Sequence, residues 1–390
     1  MFTPRGWAVL GAGVALGVLW FLFGEAEMGL AAVLLVAAAV SALAHVVGRP
    51  PPVAVRRRTA PAHVHDGDHA SVTLSLRNSG RPIRHLTITD HVTGLGTAEF
   101  AAATLDSNAE VTASYRVLCR PRGVYEVGPA RLRMADPLGL ASREISGGRT
   151  DLLVVYPAVE DLQGLPGIPG RNLAVNAPRP EQNQRGGEDF YTLREYQQGD
   201  DLRRVHWPSS ARRDQLMIRQ LETPWQTQAL VVLDTRSGSY SDAANFERAV
   251  SGAASVVRHL IHNGLSTELW AGDSPRGGAR NDYEVTMERL AGVSTQPAAD
   301  LAILAPALRR RGGGGLLVMV TGRADHDLLG LALSLAPSYP TAVLMDAGGD
   351  PSAAVGHGHV VRVTPAAAEP WAPAWARAMR STWHAASVGS

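Results

Sequence analysis

The arrangement of hydrophobic positions changes character twice along the chain. From Gly6 to Gly24 and again from Met28 to Gly48 the residues are free of Asp, Glu, Lys and Arg, and only Glu25-Ala26-Glu27 interrupts them. A helix needs about 20 such residues to cross a bilayer, so the two runs predict a membrane hairpin over residues 1–50. A cleaved leader would carry a single apolar core of about 7–15 residues and a small-residue cleavage site, a pattern that two long cores do not match. From about Val53 to Pro157 the period drops to two. "ASVTLSLRNSG", "IRHLTITDHV", "AEVTASYRVL", "GVYEVGPARLRM" and "DLLVVYP" alternate apolar with polar residues and are parted by Gly, Pro, Asn and Asp, which predicts a β-sandwich over 51–160. From Gln228 strand and helix patterns alternate: "QALVVLD", "STELWAG", "GGLLVMVTG", "TAVLMDA" and "HVVRVT" as strands, with "SDAANFERAVSGAASVVRHLIHNG", "PAADLAILAPALRRR", "DHDLLGLALSL" and "PAWARAMRSTWHA" as helices. That order predicts a doubly wound α/β domain with a parallel sheet over 226–390. The fold class is therefore α/β plus all-β, and residues 161–225 are left as a connecting segment.

Charge orients the hairpin. Arg5 precedes the first run and Arg49, Arg56, Arg57 and Arg58 follow the second, whereas the connection holds Glu25 and Glu27. The positive-inside rule places both ends in the cytoplasm of a multi-pass cell-membrane protein. "RPPPVAVRRR" reads as a proline-stiffened basic linker able to lie on anionic headgroups of the lipid bilayer. Gly13 and Gly17 form a small-xxx-small pair suited to close approach of the two spans. "GAGVALG" lies inside an apolar run with no strand before it, so it does not qualify as a dinucleotide loop. The formal net charge is +1, with no long run of one sign, which removes nucleic acid as a partner. All 37 basic residues are arginine, which removes P-loop, Schiff-base and lysine-base chemistry. Cys119 is the only cysteine, so there is no internal disulfide and no cysteine-clustered zinc site.

Candidate chemistry is sparse. His63, His65, Asp66, Asp68 and His69 crowd into "HVHDGDH", where the central Asp-Gly-Asp is turn chemistry and a solvated turn is the expected structure. "GHGH" at Gly356 to His359 has too much glycine to fix ligand geometry. There is no G-x-S-x-G or H-E-x-x-H, and Cys119 reads as a small buried hydrophobe within a strand. The paired acids Glu188-Asp189 and Asp200-Asp201 are close to arginines, which stabilise the charged carboxylate and oppose a general acid near neutrality. Asp234 ends the first parallel strand, the place where such sheets bind ligands. "LDTRSGS" resembles the opening of a von Willebrand factor A-type domain, whose metal site begins Asp-x-Ser-x-Ser. The matching positions are Asp234, Arg236 and Gly238. Two ligands of that set are replaced, so the site reads as degraded, without bound metal or cofactor; Arg236 opposes a cation by its charge, and its guanidinium is able to sit against Asp234 where the metal would be.

The densest concentration of acids, bases and aromatics is "GGEDFYTLREYQQGDDLRRVHWPSSARRDQLMIRQLE", from Gly186 to Glu222. Its Leu193, Arg194, Glu195, Tyr196, Gly199, Asp200, Asp201, Arg203, Trp207, Ser210, Ala211, Arg212 and Leu216 through Arg219 resemble the signature of the domain-of-unknown-function 58 family. Pro208 departs from it, a polar or basic residue being usual after the tryptophan. The resemblance extends to the layout of hairpin, sandwich with an "RGVYEVGPARLRMADPLGL" segment, and von Willebrand A-like domain. It implies a non-enzymatic membrane-anchored adaptor or assembly factor working with a MoxR-type AAA+ ATPase. The residues themselves leave two uses of the segment open: an internal arginine–carboxylate network, or a docking face anchored by Tyr196 and Trp207. A metal-dependent hydrolase using Asp200 and Asp201 is the rival reading, and an extracellular adhesion module would require the opposite topology and an intact metal site.

Overall fold

The structure, a computed structural model, describes residues 1–47, 52–166, 191–195, 205, 207–213, 215–221, 228–271, 282–297, 305–309, 315–339, 341–349 and 360–388. The chain divides into two compact units, Met1–Ala158 with Met287–Gly292, and Val159–Thr286 with Val293–Ser390.

The first unit opens with two antiparallel helices, α1 (Pro4–Phe23) and α2 (Ala26–Val47). Thr3 starts α1 by accepting the Gly6 amide at 3.1 Å, and Pro4 supplies a preset first-turn φ. Of the small pair Gly13 and Gly17, close approach holds at Gly13, whereas a methyl on Gly17 would meet Ala32 Cβ at an ordinary 3.8 Å. A methyl on Gly13 would lie 3.0 Å from Val36 Cγ2 and 3.2 Å from Leu35 Cβ, so only glycine lets α2 approach this closely. Phe21, Leu22, Phe23, Leu30, Val33 and Leu34 are exposed on the outside of the hairpin, and both helices are long and apolar enough to cross a membrane.

Ten strands follow: β1 (Val53–Ala60), β2 (His63–His65), β3 (His69–Asn78), β4 (Ile83–Val92), β5 (Gly96–Leu105), β6 (Glu110–Leu118), β7 (Gly123–Val127), β8 (Ala130–Ala135), β9 (Ser142–Gly147) and β10 (Asp151–Tyr156). One sheet has the order β1-β3-β6; the other runs β2-β10-β7-β4-β8-β9, with β5 paired to β4. Apolar clusters draw on both sheets, Val72 with Val92 and Leu153, and Leu74 and Leu76 with Ile88 and Leu132.

Three sequence expectations are corrected here. Most of "RPPPVAVRRR" is strand β1 rather than linker, and its alternation turns Arg57 inward while Arg56 and Arg58 stay exposed. His63 and His65 are not a solvated turn. They belong to β2, where His63 stacks on Tyr156 at 5.0 Å and His65 Nδ1 meets the Pro157 carbonyl at 2.7 Å; only residues 66–67 turn. Cys119 follows β6 rather than lying within it, and burial pushes its thiol pKa up.

Arg57 ties the two sheets together. Its Nη2 and Nε donate to Asp90 of β4 at 2.6 and 3.1 Å, and Nη1 reaches Asp151 at 3.0 Å and the Val127 carbonyl at 2.9 Å. Tyr115 of β6 donates to the same Asp90 at 2.7 Å. The Arg57 side chain is 2% exposed and that of Asp90 0%.

In the second unit β11 (Tyr191–Glu195) pairs antiparallel with β12 (Met217–Leu221), with α3 (Trp207–Arg213) between them. The connecting segment is thus partly a small sheet of its own. Next comes a parallel sheet of β13 (Gln228–Leu233), β14 (Ser266–Ala271), β15 (Leu316–Thr321), β16 (Thr341–Asp346) and β17 (Val360–Val363), in the order β14-β13-β15-β16-β17. The helices are α4 (Ala243–His262), α5 (Tyr283–Gly292), whose residues from Met287 on count with the first unit, α6 (His326–Leu335) and α7 (Trp371–Val388). Part of "PAADLAILAPALRRR" lies outside the described residues; residues 305–309 form one helical turn, with Leu308 in the core.

Residues 159–165 strap α4 to α7. The Glu160 carboxylate accepts the Ala372 amide at 2.8 Å and the Glu160 amide donates to Ser255 Oγ at 2.9 Å. The Gly164 carbonyl receives His259 Nε2 at 2.8 Å and the Trp375 indole at 3.0 Å. A carbonyl only accepts, so Nε2 carries the imidazole proton and Nδ1 faces the Asn263 amide nitrogen, a donor, at 3.4 Å. The pocket therefore suits neutral histidine, and burial, against the weaker opposing bond to Gly164, lowers the His259 pKa.

Two outcomes are expected. Arg57→Ala lowers unfolding free energy by about 3–5 kcal/mol, because Asp90 is left charged and buried, whereas Arg56→Ala and Arg58→Ala stay within about 0.5 kcal/mol; denaturant melts of the three variants in detergent check this. Because the folded state holds the His259 pKa below its unfolded value of about 6.5, stability present at neutral pH is lost as pH falls below that value and on through the lower folded pKa. Melting temperature followed by tryptophan fluorescence should show a smaller drop on acidification in His259→Gln than in the parent.

Candidate functional site at the carboxyl edge of the parallel sheet

Strand β13 runs buried from Ala229 to Leu233 and delivers Asp234 to the carboxyl edge, while the neighbouring β15 delivers Thr321. The chain passes from β13 outward to β14 and then returns to β15 on the other side. The crevice between β13 and β15 is thus the topological switch point, where sheets of this kind bind ligands.

Asp234 fills that crevice, with its side chain 3% exposed. Its Oδ1 accepts the Arg236 amide and Arg236 Nε, both at 3.0 Å, and its Oδ2 accepts Arg236 Nη2 and Thr321 Oγ1, both at 2.9 Å. Four donors saturate the roughly four lone-pair positions of a carboxylate. The remaining side of the Arg236 fork holds Asp325, with Nη1 to Oδ2 at 2.7 Å and Nη2 to Oδ1 at 3.2 Å. Asp325 also caps α6 through the Leu328 amide at 2.8 Å. Tyr240 donates its hydroxyl to the Asp234 carbonyl and lies edge-on to Phe246 at 4.9 Å. Desolvation lowers and the paired carboxylates raise the Arg236 pKa; the carboxylates win, so the guanidinium is permanently charged. For Asp325 the desolvation that would raise its pKa is outweighed by the Arg236 bonds and the Leu328 amide, and it stays ionised below the usual carboxylate range.

This donor set does not fit a divalent cation. A hard metal wants several free oxygens, and here the leading carboxylate is saturated by a cation of the chain itself. Gly238 offers no side-chain oxygen and Arg236 repels positive charge. Among the described residues no cluster of three or more His, Cys, Asp or Glu is placed to hold a metal.

A second pair, which sequence reading missed, sits farther along the same edge. Asp346, fully buried at the end of β16, accepts Arg362 Nη2 of β17 at 2.6 Å and the Ala324 amide at 3.2 Å. The signal was present: "TAVLMD" ends in aspartate after an apolar strand just as "QALVVLD" does. Beside this edge Ser241, Asp242, Asn245, Arg248, Gly348 and Ala367 line a pocket of about 330 Å³. Its acid and base hold structure. Asp242 caps α4 through the Asn245 amide at 2.7 Å, which lowers its pKa, and Arg248 donates to the Ala366 carbonyl at 2.8 Å.

The signature segment separates by role. Ser210 is structural: buried, it accepts the Met217 amide at 2.8 Å and joins α3 to β12. Arg194 and Glu195 lie on β11 opposite Ile218 and Met217. Trp207 is 67% exposed at the start of α3, and Arg212 is exposed on the same helix. Tyr196, Gly199, Asp200, Asp201 and Arg203 lie outside the described residues, as do Glu188, Asp189 and "GHGH".

Residues 192–331 match the model of the family described as "Protein of unknown function DUF58". The match takes in the β11–α3–β12 segment and the Asp234, Arg236, Thr321 and Asp325 cluster. Protein YeaD of Bacillus subtilis (strain 168), itself described as uncharacterized, is 28% identical over 229 residues, 55% of this chain and 54% of that protein. The chain spans about half the length of this curated relative. Among solved structures the CARDB domain of a Pyrococcus furiosus protein matches 25% of this chain and 89% of its own, at 12% identity and a TM-score of 0.19. The sporulation control protein Spo0M of Bacillus subtilis matches 27% of this chain and 50% of its own, at 13% identity and a TM-score of 0.18. At such scores neither likeness bears on this chain's fold or function.

If the Arg236 fork stands in place of a metal, Arg236→Ala leaves Asp234 buried and unpaired and costs about 3–5 kcal/mol, whereas Asp325→Ala, losing a partly exposed partner and a helix cap, costs about 1 kcal/mol. Melting of the unsubstituted chain should be the same in Mg²⁺, Mn²⁺ and EDTA. A saturable rise with either metal would contradict the assignment, since a ligand of the folded state alone must stabilise it.

Proposed function

We propose that this protein is a membrane-anchored cytoplasmic adaptor or assembly factor that works with a MoxR-type AAA+ ATPase and carries out no reaction of its own. In this reading the two sheets of the first unit are a β-sandwich and the second unit is a von Willebrand A-like domain whose metal position is taken by an arginine. The two sheets' common apolar core supports the first assignment, and a central first strand ending in Asp234 supports the second. The outward-facing large apolar side chains of α1 and α2 support the bilayer as their surroundings. Arg5, Arg49, Arg56 and Arg58 against Glu25 and Glu27 support cytoplasmic ends.

The observation that carries the adaptor reading is the exposure of Trp207. A tryptophan 67% exposed on a short helix within the DUF58 match is unusual as structure and suited to a docking face, because aromatic and arginine side chains anchor interfaces. Arg212, also exposed on this helix but five positions on and so on a different side of it, is a second group of the kind that anchors interfaces. Meanwhile the carboxylates described at the sheet edge are engaged by arginines, which speaks against acid–base chemistry there.

The expected outcome is that the full-length protein, purified from native membranes, carries a MoxR-type ATPase with it. Trp207→Ala should abolish that capture, and Arg212→Ala weaken it, while melting temperature stays within a degree or so of the parent, as for a surface change. Mass spectrometry of the captured proteins checks the partner. Unchanged capture by Trp207→Ala would remove α3 as the docking face.

A further inference from the structure

The two open ends of the helical hairpin converge on one loop, residues 136–141. From α1's side, the Thr3 hydroxyl donates to the Gly139 carbonyl at 2.7 Å and the Thr3 amide to Leu140 at 2.9 Å, and Phe2 bridges Ala141. From α2's side, Ala42 and Val46 pack with Leu140 and Ala141, and Arg143 Nη1 reaches the Val47 carbonyl at 3.5 Å. Gly6 makes this possible: a methyl there would overlap the Leu140 carbonyl oxygen. The loop is stiff by its own bonding. Buried Asp136 accepts the Leu138 amide at 2.9 Å and the Ala141 amide at 2.6 Å, and its backbone pairs with Ala141 and Gly139 at 3.1 and 3.0 Å.

Such a braced loop has no packing reason to display a large aliphatic side chain, yet Leu138 is 65% exposed. Its neighbours Gly139 and Leu140 are bonded to the residue before Pro4, where α1 begins, so the loop lies level with the end of the span. Trp7, 63% exposed and edge-on to Phe2 at 5.4 Å, marks the same level with an aromatic ring of the kind that settles at headgroup depth. Arg5, exposed on α1, adds a charge that attracts anionic headgroups there.

We propose that the 136–141 loop is a membrane contact: Leu138 enters the headgroup region of the bilayer beside Trp7, so that the β-strand unit is seated on the lipid surface rather than tethered at a distance. This deepens the membrane reading above and rests on it. The partner is the lipid bilayer itself, recognised by an apolar tip flanked by arginine. Because the loop is bonded to α1 and packed on α2, the orientation of the strands relative to the bilayer is set by the hairpin.

The test uses the full-length chain in phosphatidylcholine–phosphatidylglycerol vesicles, in a Cys119→Ser background, with single cysteines carrying an environment-sensitive fluorophore. Leu138→Cys samples the loop and Val18→Cys, on the exposed side of α1, the span. Thr93→Cys, exposed beyond the far end of β4 from its pairing with Met134, samples water. Lipids bearing a nitroxide near the headgroup end of the acyl chain should quench most emission at position 138 and leave position 93 unquenched. Gly6→Val, which pushes the loop off α1, should abolish quenching at 138 and preserve quenching at 18 by lipids labelled deep in the chain. Quenching at 18 with none at 138 overturns the loop contact while the membrane reading stands. No quenching at either position, with either lipid, overturns both.

Discussion

A carboxylate taken out of water must have every lone pair met by a donor, and in a chain whose only strong bases are arginines the donor is a guanidinium fork. Three such pairs govern the described structure. Arg57 with Asp90 closes the core between the two sheets of the first unit, with Tyr115 and the Val127 carbonyl completing the bonding. Arg236 with Asp234, and Arg362 with Asp346, close the carboxyl edge of the parallel sheet. Arg57 with Asp90 and Arg362 with Asp346 each join two strands, and Arg236, two residues from Asp234, also reaches Asp325 at the start of α6, so each selects one packing among those that hydrophobic burial alone would allow.

The same constraint occupies the crevice where a parallel sheet ordinarily binds its ligand. Arg236 is covalently part of the site and meets both Asp234 and Asp325, so both carboxylates are paired before any ligand arrives. Among the described residues, Trp207 on α3 and Leu138 at the end of the hairpin are large, apolar and exposed on backbone that is otherwise well bonded. The proposed docking and membrane contacts both follow from that pairing of a rigid support with an exposed apolar tip.

Several elements escaped sequence reading for identifiable reasons. Strand β1 was hidden because three consecutive arginines read as a solvated run; only the presence of Asp90 on an opposing strand makes the middle one a core residue. Strand β5, "GTAEFAAATL", is too rich in alanine to show a sharp alternation, and β9, "SREISG", is short and polar because it is a sheet edge. Helix α5 follows a glycine-rich stretch and has only a modest apolar face. At the site, Asp234 and the Arg236 pairing were legible, since strand-end position and side-chain type are local facts. Asp346 had the same strand-end signal, but its partner Arg362 belongs to another strand and could not be read beside it.

By itself the sequence determined the two apolar helices, the small-residue seam between them at Gly13, the change from alternating strands to strand-helix repeats, and the aspartate at the end of β13. All of these rest on periodicity, composition or neighbours within a few residues, which physical chemistry acts on before the chain folds. Only the tertiary structure decided that Arg57 is buried while Arg56 and Arg58 are exposed, that His259 is held neutral against Gly164, that Ser210 serves the backbone while Trp207 faces solvent, and that residues 136–141 close the open end of the hairpin. Those outcomes depend on which donor or apolar surface arrives from far along the chain, and burial converts that arrival into a change of charge state, pairing or exposure that no local pattern carries.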